Sequence, residues 1–136
     1  MKTRRSQPEH VEQSAVFAWT RPLEHLYPRL RLLHSSFNPG KLSIGSAMKM
    51  KREGAKAGFP DLHLPVARHN YHALWIELKV GYNQLSAMQE EVNLSLLMEG
   101  HQVLVCRSWT EAVTQIFNYL GEIEQKHYPG GTLCHE

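Results

Sequence analysis

The chain has few of the features that mark secreted, membrane or nucleotide-binding proteins. It contains two cysteines, Cys106 and Cys134, too few for a disulfide framework, and a reducing cytoplasm is the expected compartment. We find no apolar run long enough to span a membrane and no signal peptide. A Gly-rich loop of the kind that binds nucleotide phosphates is also missing, so we expect no nucleotide cofactor.

Length and charge place the chain among small globular domains. With 136 residues, of which 42% are hydrophobic, it is long enough for one core but not for two. We expect a single domain over residues 1–136, with an ordered core over about 6–126 and a flexible tail over 127–136. The net charge is only +2, so any binding of nucleic acid must depend on local clusters of cations.

The most informative stretch is a predicted β-hairpin in the middle of the chain. Its second strand, residues 72–80, has only aliphatic side chains on one face, while Trp75, Glu77 and Lys79 lie on the other. Its first strand, residues 61–66, begins with Asp61, and the turn that joins the strands has His69 and Asn70 at its tip. Antiparallel pairing would bring Asp61 close to Glu77 and Lys79.

Two carboxylates and one ammonium group are what a metal-dependent nuclease requires. Mg²⁺ and Mn²⁺ prefer hard oxygen ligands, usually one or two carboxylates with water and substrate phosphate. Asp61 and Glu77 are the candidate ligands, and the backbone carbonyl of Leu78 is a candidate third. A bound ion polarises the phosphodiester and lowers the pKa of a bound water. Lys79 would orient that water and offset the charge of the transition state.

An ordinary surface hairpin with a Glu77–Lys79 charge pair is the alternative interpretation. A Glu-x-Lys pair and a Gly-x-Pro-Asp turn are each common on their own. Found together at hairpin spacing, beside an aliphatic face, they indicate a nuclease more specifically, but the local pattern leaves both interpretations open.

The order of the predicted elements indicates an α/β fold. Capping residues and apolar periodicity predict helices and strands in the order helix, strand, hairpin, helix, strand, helix. A small mixed β-sheet flanked by α-helices is the expected architecture. Outside the hairpin, the predicted elements are a helix from residue 6 to about 20, a strand over 29–36, a short helix over about 46–53, a helix over 86–99, a strand over 101–107 and a helix over 108–120.

Two polar side chains on these helices are further candidates for the site. Glu12 lies on or beside the buried stripe of the first helix, where it either reaches water at the boundary or points into the metal site. Gln89 is three residues after Ser86, so a capping box explains it without any functional role.

A cluster of cations precedes the acidic residues and is a candidate DNA contact. Its position beside the candidate centre favours binding to phosphates, although most such clusters are simply solvated surface. The cations are Lys41, Lys49, Lys51, Arg52 and Lys56.

The nine histidines raise the alternative of a zinc site. His63, His69 and His72 lie near the hairpin, but no helical His pair and no Cys-x-x-Cys supports zinc. His34 would be a group beside the site or a substrate contact, but a lone histidine is more often structural.

Three segments carry a resemblance to a known family: Gly58-Phe59-Pro60-Asp61, Glu77-Leu78-Lys79 and Leu85-Ser86-Ala87-Met88-Gln89. They resemble the VRR-NUC family, the virus-type replication-and-repair nuclease branch of the PD-(D/E)xK superfamily, over about residues 9–120. The resemblance implies a restriction-endonuclease-like core and a metal-dependent nuclease, often acting on branched DNA. It also favours Glu12 pointing into the metal site and Gln89 lying near it.

We therefore expect an Mg²⁺- or Mn²⁺-dependent DNA endonuclease that acts on branched DNA, such as Holliday junctions or flaps, in replication, repair or recombination. So small a domain offers little surface for DNA, so we also expect a homodimer. The expected location is the cytoplasm of a bacterial or phage-infected cell. The competing function is a non-catalytic nucleic-acid-binding or assembly module on the same fold, which would keep the basic cluster without needing the acids.

Overall fold

A computed structural model describes residues 9–36 and 42–131. In this part of the chain, four α-helices and four β-strands surround one core. The helices are α1 (Glu9–Thr20), α2 (Ile44–Arg52), α3 (Ala87–Met98) and α4 (Trp109–Leu120). The strands are β1 (His34–Ser35), β2 (Leu62–Leu64), β3 (Leu74–Leu78) and β4 (Gln102–Cys106). No described helix is long and apolar enough to cross a membrane.

The four strands form one mixed sheet in the order β1-β2-β3-β4. β1 pairs with β2 and β2 with β3 in antiparallel fashion, whereas β3 and β4 are parallel. α3 makes the crossover that parallel neighbours require. The predicted fold class, a small mixed sheet flanked by helices, is confirmed.

The two faces of the sheet divide as the alternation in β3 predicts. Leu74, Ile76 and Leu78 are each only 1% exposed and pack into a core that includes the apolar stripe of α4 and Val16 of α1. The opposite face carries Trp75 and Glu77. Because one face is aliphatic and buried, the functional side chains are confined to the other.

The local signals for turns and helix ends hold where the structure describes them. His69 and Asn70 have φ angles of 55° and 68°, the left-handed values expected at a tight hairpin tip. Ser86 caps α3 in a complete capping box, and α4 ends at Gly121 with φ of 76°. The capping residue predicted at Ser6 lies outside the described residues.

The strand predicted over residues 29–36 is mostly wrong. Pro28–Leu32 form a 3-10 helix, and only His34 and Ser35 pair in the sheet. Leu30 and Leu33 are buried while Leu32 is 47% exposed. Burial three residues apart matches the three-residue turn of a 3-10 helix, whereas the sequence pattern suggested alternation.

The boundary predicted between the core and a tail is placed too early. Residue His127 ends a 3-10 turn, and its carbonyl accepts a hydrogen bond of 2.8 Å from Trp19 Nε1. The ring of Tyr128 packs edge-on against Phe117 at 5.2 Å. The chain therefore contacts the core through these residues, and residues 132–136 lie outside the described part.

Cys106 is a core residue, as predicted. Its side chain is 1% exposed, and burial, followed by the nearby charge of Glu111, raises the pKa of its thiol to about 12. The thiol therefore stays protonated and unreactive at neutral pH. Cys134 lies outside the described residues.

Gly58 brings the chain close to α3 and generates the first testable prediction. Its φ is +97°, and a Cβ atom there would approach Met88 Cγ to 2.8 Å and Val92 Cγ2 to 2.9 Å. We expect Gly58→Ala to lower the free energy of unfolding by about 2 kcal/mol or more, since backbone strain and crowding act together. Urea denaturation measures this loss.

Gly54→Ala is the matched control for that measurement. Gly54 has φ of +105°, but a Cβ atom added there would meet no atom of the described residues within 4 Å. This variant therefore reports backbone strain alone, about 1 kcal/mol. Equal losses in the two variants would show that the approach of Gly58 to α3 contributes nothing.

Candidate active site

The two acidic residues of the hairpin lie side by side on the sheet. Leu62 pairs with Ile76, so Asp61, one residue earlier, lies opposite Glu77. Asp61 Oδ2 accepts a hydrogen bond of 2.8 Å from the backbone N–H of Leu78. Asp61 and Glu77 are 4% and 2% exposed, and burial of two carboxylates is costly unless they are bonded or bind a cation.

Lys79 adds the ammonium group at the end of β3. Its Nζ lies 3.8 Å from Glu77 Oε2, and its side chain is 14% exposed. Its backbone N–H donates to the carbonyl of Cys106 at 3.0 Å, which continues the pairing of β3 with β4. The structure thus brings together the three charged groups that the hairpin pattern predicted.

Gln89 connects the start of α3 to this acidic pair. Its Oε1 accepts from the backbone N–H of Ser86 at 2.9 Å, while its Nε2 donates to Glu77 Oε2 at 3.0 Å. The capping role and the position beside the site both hold, and one side chain fulfils them. The capping box therefore fixes the amide that orients the Glu77 carboxylate.

Glu12 has a structural partner on another helix. Its Oε1 accepts a hydrogen bond of 2.7 Å from the backbone N–H of Trp109, in the first turn of α4. A carboxylate at that position also interacts favourably with the helix dipole. This contact ties α1 to α4, and a role of Glu12 toward metal or water stays a prediction.

The donor set suits a hard divalent cation. Asp61 and Glu77 supply buried carboxylate oxygens at adjacent positions, and Mg²⁺ usually takes one or two carboxylates with water and substrate oxygens. Among the described residues, no three His, Cys, Asp or Glu side chains are arranged to hold a metal. The backbone carbonyl of Leu78 and water are candidates for further ligands, and a metal role of Glu12 stays a prediction.

The basic cluster borders the site through α2 and the segment after it. Lys51 and Lys56 line a groove with Phe59 and Met88, next to the chain that leads to Asp61. Lys49 pairs with Glu53 at 2.8 Å, and Arg52 is exposed. Lys41 lies outside the described residues.

A row of aromatic rings crosses the same face of the sheet, and sequence reasoning missed it. The ring of His63 stacks on Trp75 at 3.9 Å and meets His34 of β1. Burial, then the charges of His34 and His101, lower the pKa of His63 to about 4. His63 meets Trp75 through the β2–β3 register, whereas His34 joins the row through the β1–β2 register, for which the sequence carries no signal.

The zinc grouping of the three hairpin histidines does not form. His69 Nε2 lies 2.9 Å from the carbonyl of Tyr119, while His72 is directed toward His101. His63 belongs to the row on the sheet.

This sheet and its acidic hairpin define a nuclease-type domain with a restriction-endonuclease-like fold. No family model and no curated protein matches the chain. Among solved structures, a chain described as "VRR_NUC domain protein" has a TM-score of 0.71 and 29% sequence identity, over 86% of this chain and 91% of that chain. The chain therefore has the fold of a VRR-NUC domain.

The double role of Gln89 generates the second prediction. Ser86→Ala removes one capping bond and should cost about 1 kcal/mol of stability. Gln89→Ala also removes a donor from a buried carboxylate, so we expect a larger loss of about 2–3 kcal/mol. Urea denaturation compares the two variants. Equal losses for Ser86→Ala and Gln89→Ala would contradict the link to Glu77.

Gln84→Ala is the surface control for this comparison. The Gln84 amide is exposed, and its bond to the carbonyl of Tyr82 is long, 3.4 Å. We therefore expect the free energy of unfolding of this variant to lie within about 0.5 kcal/mol of that of wild type.

Proposed function

We propose that the protein is a metal-dependent DNA endonuclease that hydrolyses phosphodiester bonds, acting in the cytoplasm of a bacterial or phage-infected cell. The observation that carries the proposal is the contact of Lys79 and Gln89 with Glu77, beside the buried Asp61. A fold-maintaining charge pair would not require two buried carboxylates at adjacent positions. The likeness to a VRR-NUC domain supports the same chemistry.

Asp61 and Glu77 would hold Mg²⁺ or Mn²⁺, with the Leu78 carbonyl as a further ligand and Glu12 as an assisting group. When bound, such an ion polarises the phosphodiester and lowers the pKa of a bound water. The bond from the Leu78 N–H holds the Asp61 carboxylate in place, and the Gln89 amide does the same for Glu77. The chain thereby orients its ligands before substrate arrives.

Lys79 would contribute charge and orientation. Its side chain is only 14% exposed, so its interaction with a phosphate oxygen or with the attacking water would be screened less than at an open surface. Three donors on one nitrogen allow it to contact Glu77 and the substrate together. Its role is to stabilise negative charge that grows in the transition state.

The substrate that we propose is branched DNA, such as a four-way junction or a flap. Lys51 and Lys56 line a groove with Phe59, which precedes Asp61 by two residues. Lys49 and Arg52 lie with Lys51 on α2, and Lys41 precedes that helix in the sequence. These cations would contact phosphates rather than bases, which fits selection by shape rather than by sequence.

We also propose that the enzyme acts as a homodimer. The outer face of α3 carries an exposed apolar stripe at helical spacing: Leu94, Leu97 and Met98 are 59%, 50% and 77% exposed. A contiguous exposed apolar patch is typical of a protein–protein interface. Pairing of this outer face between two copies would hold two centres at a fixed separation, as symmetric cutting of a junction requires.

Cleavage assays give the third prediction. Labelled junction, flap, single-stranded and linear duplex DNA are incubated with protein and Mg²⁺, Mn²⁺ or EDTA. We expect branched DNA to be cut with either metal and not with EDTA. Asp61→Asn and Lys79→Ala should each lower the rate by about 100-fold or more.

The matched control for Lys79→Ala is Lys126→Ala, which removes an exposed lysine paired with Glu124 at 3.4 Å and should cut DNA like wild type.

The double variant Lys51→Ala/Lys56→Ala tests the basic cluster. It should weaken DNA binding and lower the salt dependence of that binding, while protein at saturating concentration still cuts. Wild-type protein that binds DNA but cuts none with any metal would establish the non-catalytic binding module instead.

The oligomeric state gives the fourth prediction. We expect a dimer by sedimentation at micromolar concentration, and a monomer for Leu94→Glu/Met98→Glu, because charge on the outer face of α3 opposes its burial. Leu26→Glu changes another exposed leucine, 50% exposed, and should leave the dimer intact. A wild-type monomer would contradict the proposal.

A further inference from the structure

The open face of the sheet carries a histidine pair that the nuclease chemistry does not use. His34 of β1 and His63 of β2 are directly opposed in the antiparallel register. His34 Nε2 lies 3.3 Å from His63 Nδ1. His34 is exposed and His63 is half-buried, so the two ring nitrogens face each other within reach of solvent.

The spacing of these nitrogens matches two ligands of one metal ion. Zinc binds histidine nitrogen at about 2.0–2.1 Å in tetrahedral sites, which places two nitrogen ligands about 3.3–3.4 Å apart. A distance of 3.3 Å is long for a hydrogen bond between nitrogens but equals this edge of a tetrahedron. The spacing therefore suits one ion bound to both nitrogens after small rotations of the rings turn their lone pairs toward it.

Both rings are already held by contacts outside the pair. His34 Nδ1 lies 3.0 Å from the carbonyl of Leu32, which leaves Nε2 as the acceptor nitrogen of the neutral ring. Histidines that bind metals commonly donate their second N–H to a backbone carbonyl in this way. The ring of His63 is stacked on Trp75, interplanar angle 14°, and Trp75 Nε1 is in turn bonded to His101 Nδ1 at 3.1 Å.

We propose that His34 and His63 form a two-histidine clamp for a late transition-metal ion of the Zn²⁺, Ni²⁺ or Cu²⁺ class. Imidazole nitrogens favour these ions, whereas Mg²⁺ prefers oxygen ligands. His63 binds through Nδ1, so the proton of that nitrogen moves to Nε2 through solvent and none is released overall. The remaining coordination positions are filled by water, since two side chains supply only half of a tetrahedral set.

The clamp is separate from the acidic centre. Asp61 lies directly before β2 and His63 within it, two residues apart and therefore about 7 Å apart along the chain. The two positions also differ in donor chemistry, oxygen at one and nitrogen at the other. The inference does not depend on the proposed nuclease function.

The fifth prediction is that Zn²⁺ binding to the full, untagged and metal-free chain depends on both histidines. Zn²⁺ alone is titrated against a chromophoric chelator in competition with the protein. We expect His34→Ala and His63→Ala each to raise the dissociation constant of one bound Zn²⁺ by about tenfold or more. The double variant should lose the same single equivalent and no more, because both side chains hold one ion.

His25→Ala is the matched control, since it removes another exposed histidine, and it should bind like wild type. Asp61→Asn should also keep the equivalent, which distinguishes the clamp from the acidic centre. Cu²⁺ should give an electron paramagnetic resonance spectrum with two nitrogen donors, reduced in His34→Ala. Because His34 is exposed, that variant carries the test even if loss of the His63 ring perturbs folding.

Unchanged Zn²⁺ binding in His34→Ala would overturn the proposal. So would loss of two separate equivalents in the double variant, or loss of the equivalent in Asp61→Asn. Excess Mg²⁺ should not displace the Zn²⁺, and displacement would place the ion at an oxygen site instead.

Discussion

The pairing register between β2 and β3 is the constraint on which the candidate site depends. The register that pairs Leu62 with Ile76 places Asp61 opposite Glu77. If β3 slipped by one residue, its aliphatic face would turn toward solvent and Glu77 would turn toward the core, away from Asp61. The buried side chains of Leu74, Ile76 and Leu78 therefore hold the acids in position from the opposite face of the sheet.

Helix α3 depends on the same arrangement from the other side. Gly58 allows the chain before Asp61 to approach Met88 and Val92, and Gln89 joins the first turn of the helix to Glu77. The packing of Gly58 on the helix and the hydrogen bond from Gln89 to Glu77 both lie in its first two turns. Together they fix the distance of the helix from the sheet and its rotation about its own axis. Preorganised carboxylates need less rearrangement when a cation or substrate binds.

The features predicted from the sequence are those encoded over a few neighbouring residues. Alternation in β3, the left-handed hairpin tip at His69 and Asn70, and the Ser86 cap are all of this kind, and the structure has each of them. The strand predicted at residues 29–36 is mostly wrong because its buried residues, Leu30 and Leu33, are three apart, which suits a 3-10 turn. Which of its leucines are buried depends on how the segment packs on the rest of the core, and the local sequence does not determine that. The tail predicted from residue 127 is wrong at Tyr128, which packs on Phe117. The local Pro-Gly-Gly pattern that follows Tyr128 gives no signal for a contact with that helix. The pairing of His34 with His63 depends on the β1–β2 register and is beyond the reach of local patterns.

Two kinds of candidate metal ligand occupy neighbouring rows of one sheet face, and their separation follows from the hairpin itself. Side chains two residues apart on β2 share a face, so Asp61 is followed by His63, and β3 matches them with Glu77 and Trp75 in the same register. Oxygen ligands and imidazole ligands select different ions. The indole of Trp75 stacks on His63 and shields one face of that ring from water. Late transition metals and Mg²⁺ would therefore act at different positions on this face, and an effect of Zn²⁺ on cleavage would not by itself mean that it had replaced the ion held by the carboxylates.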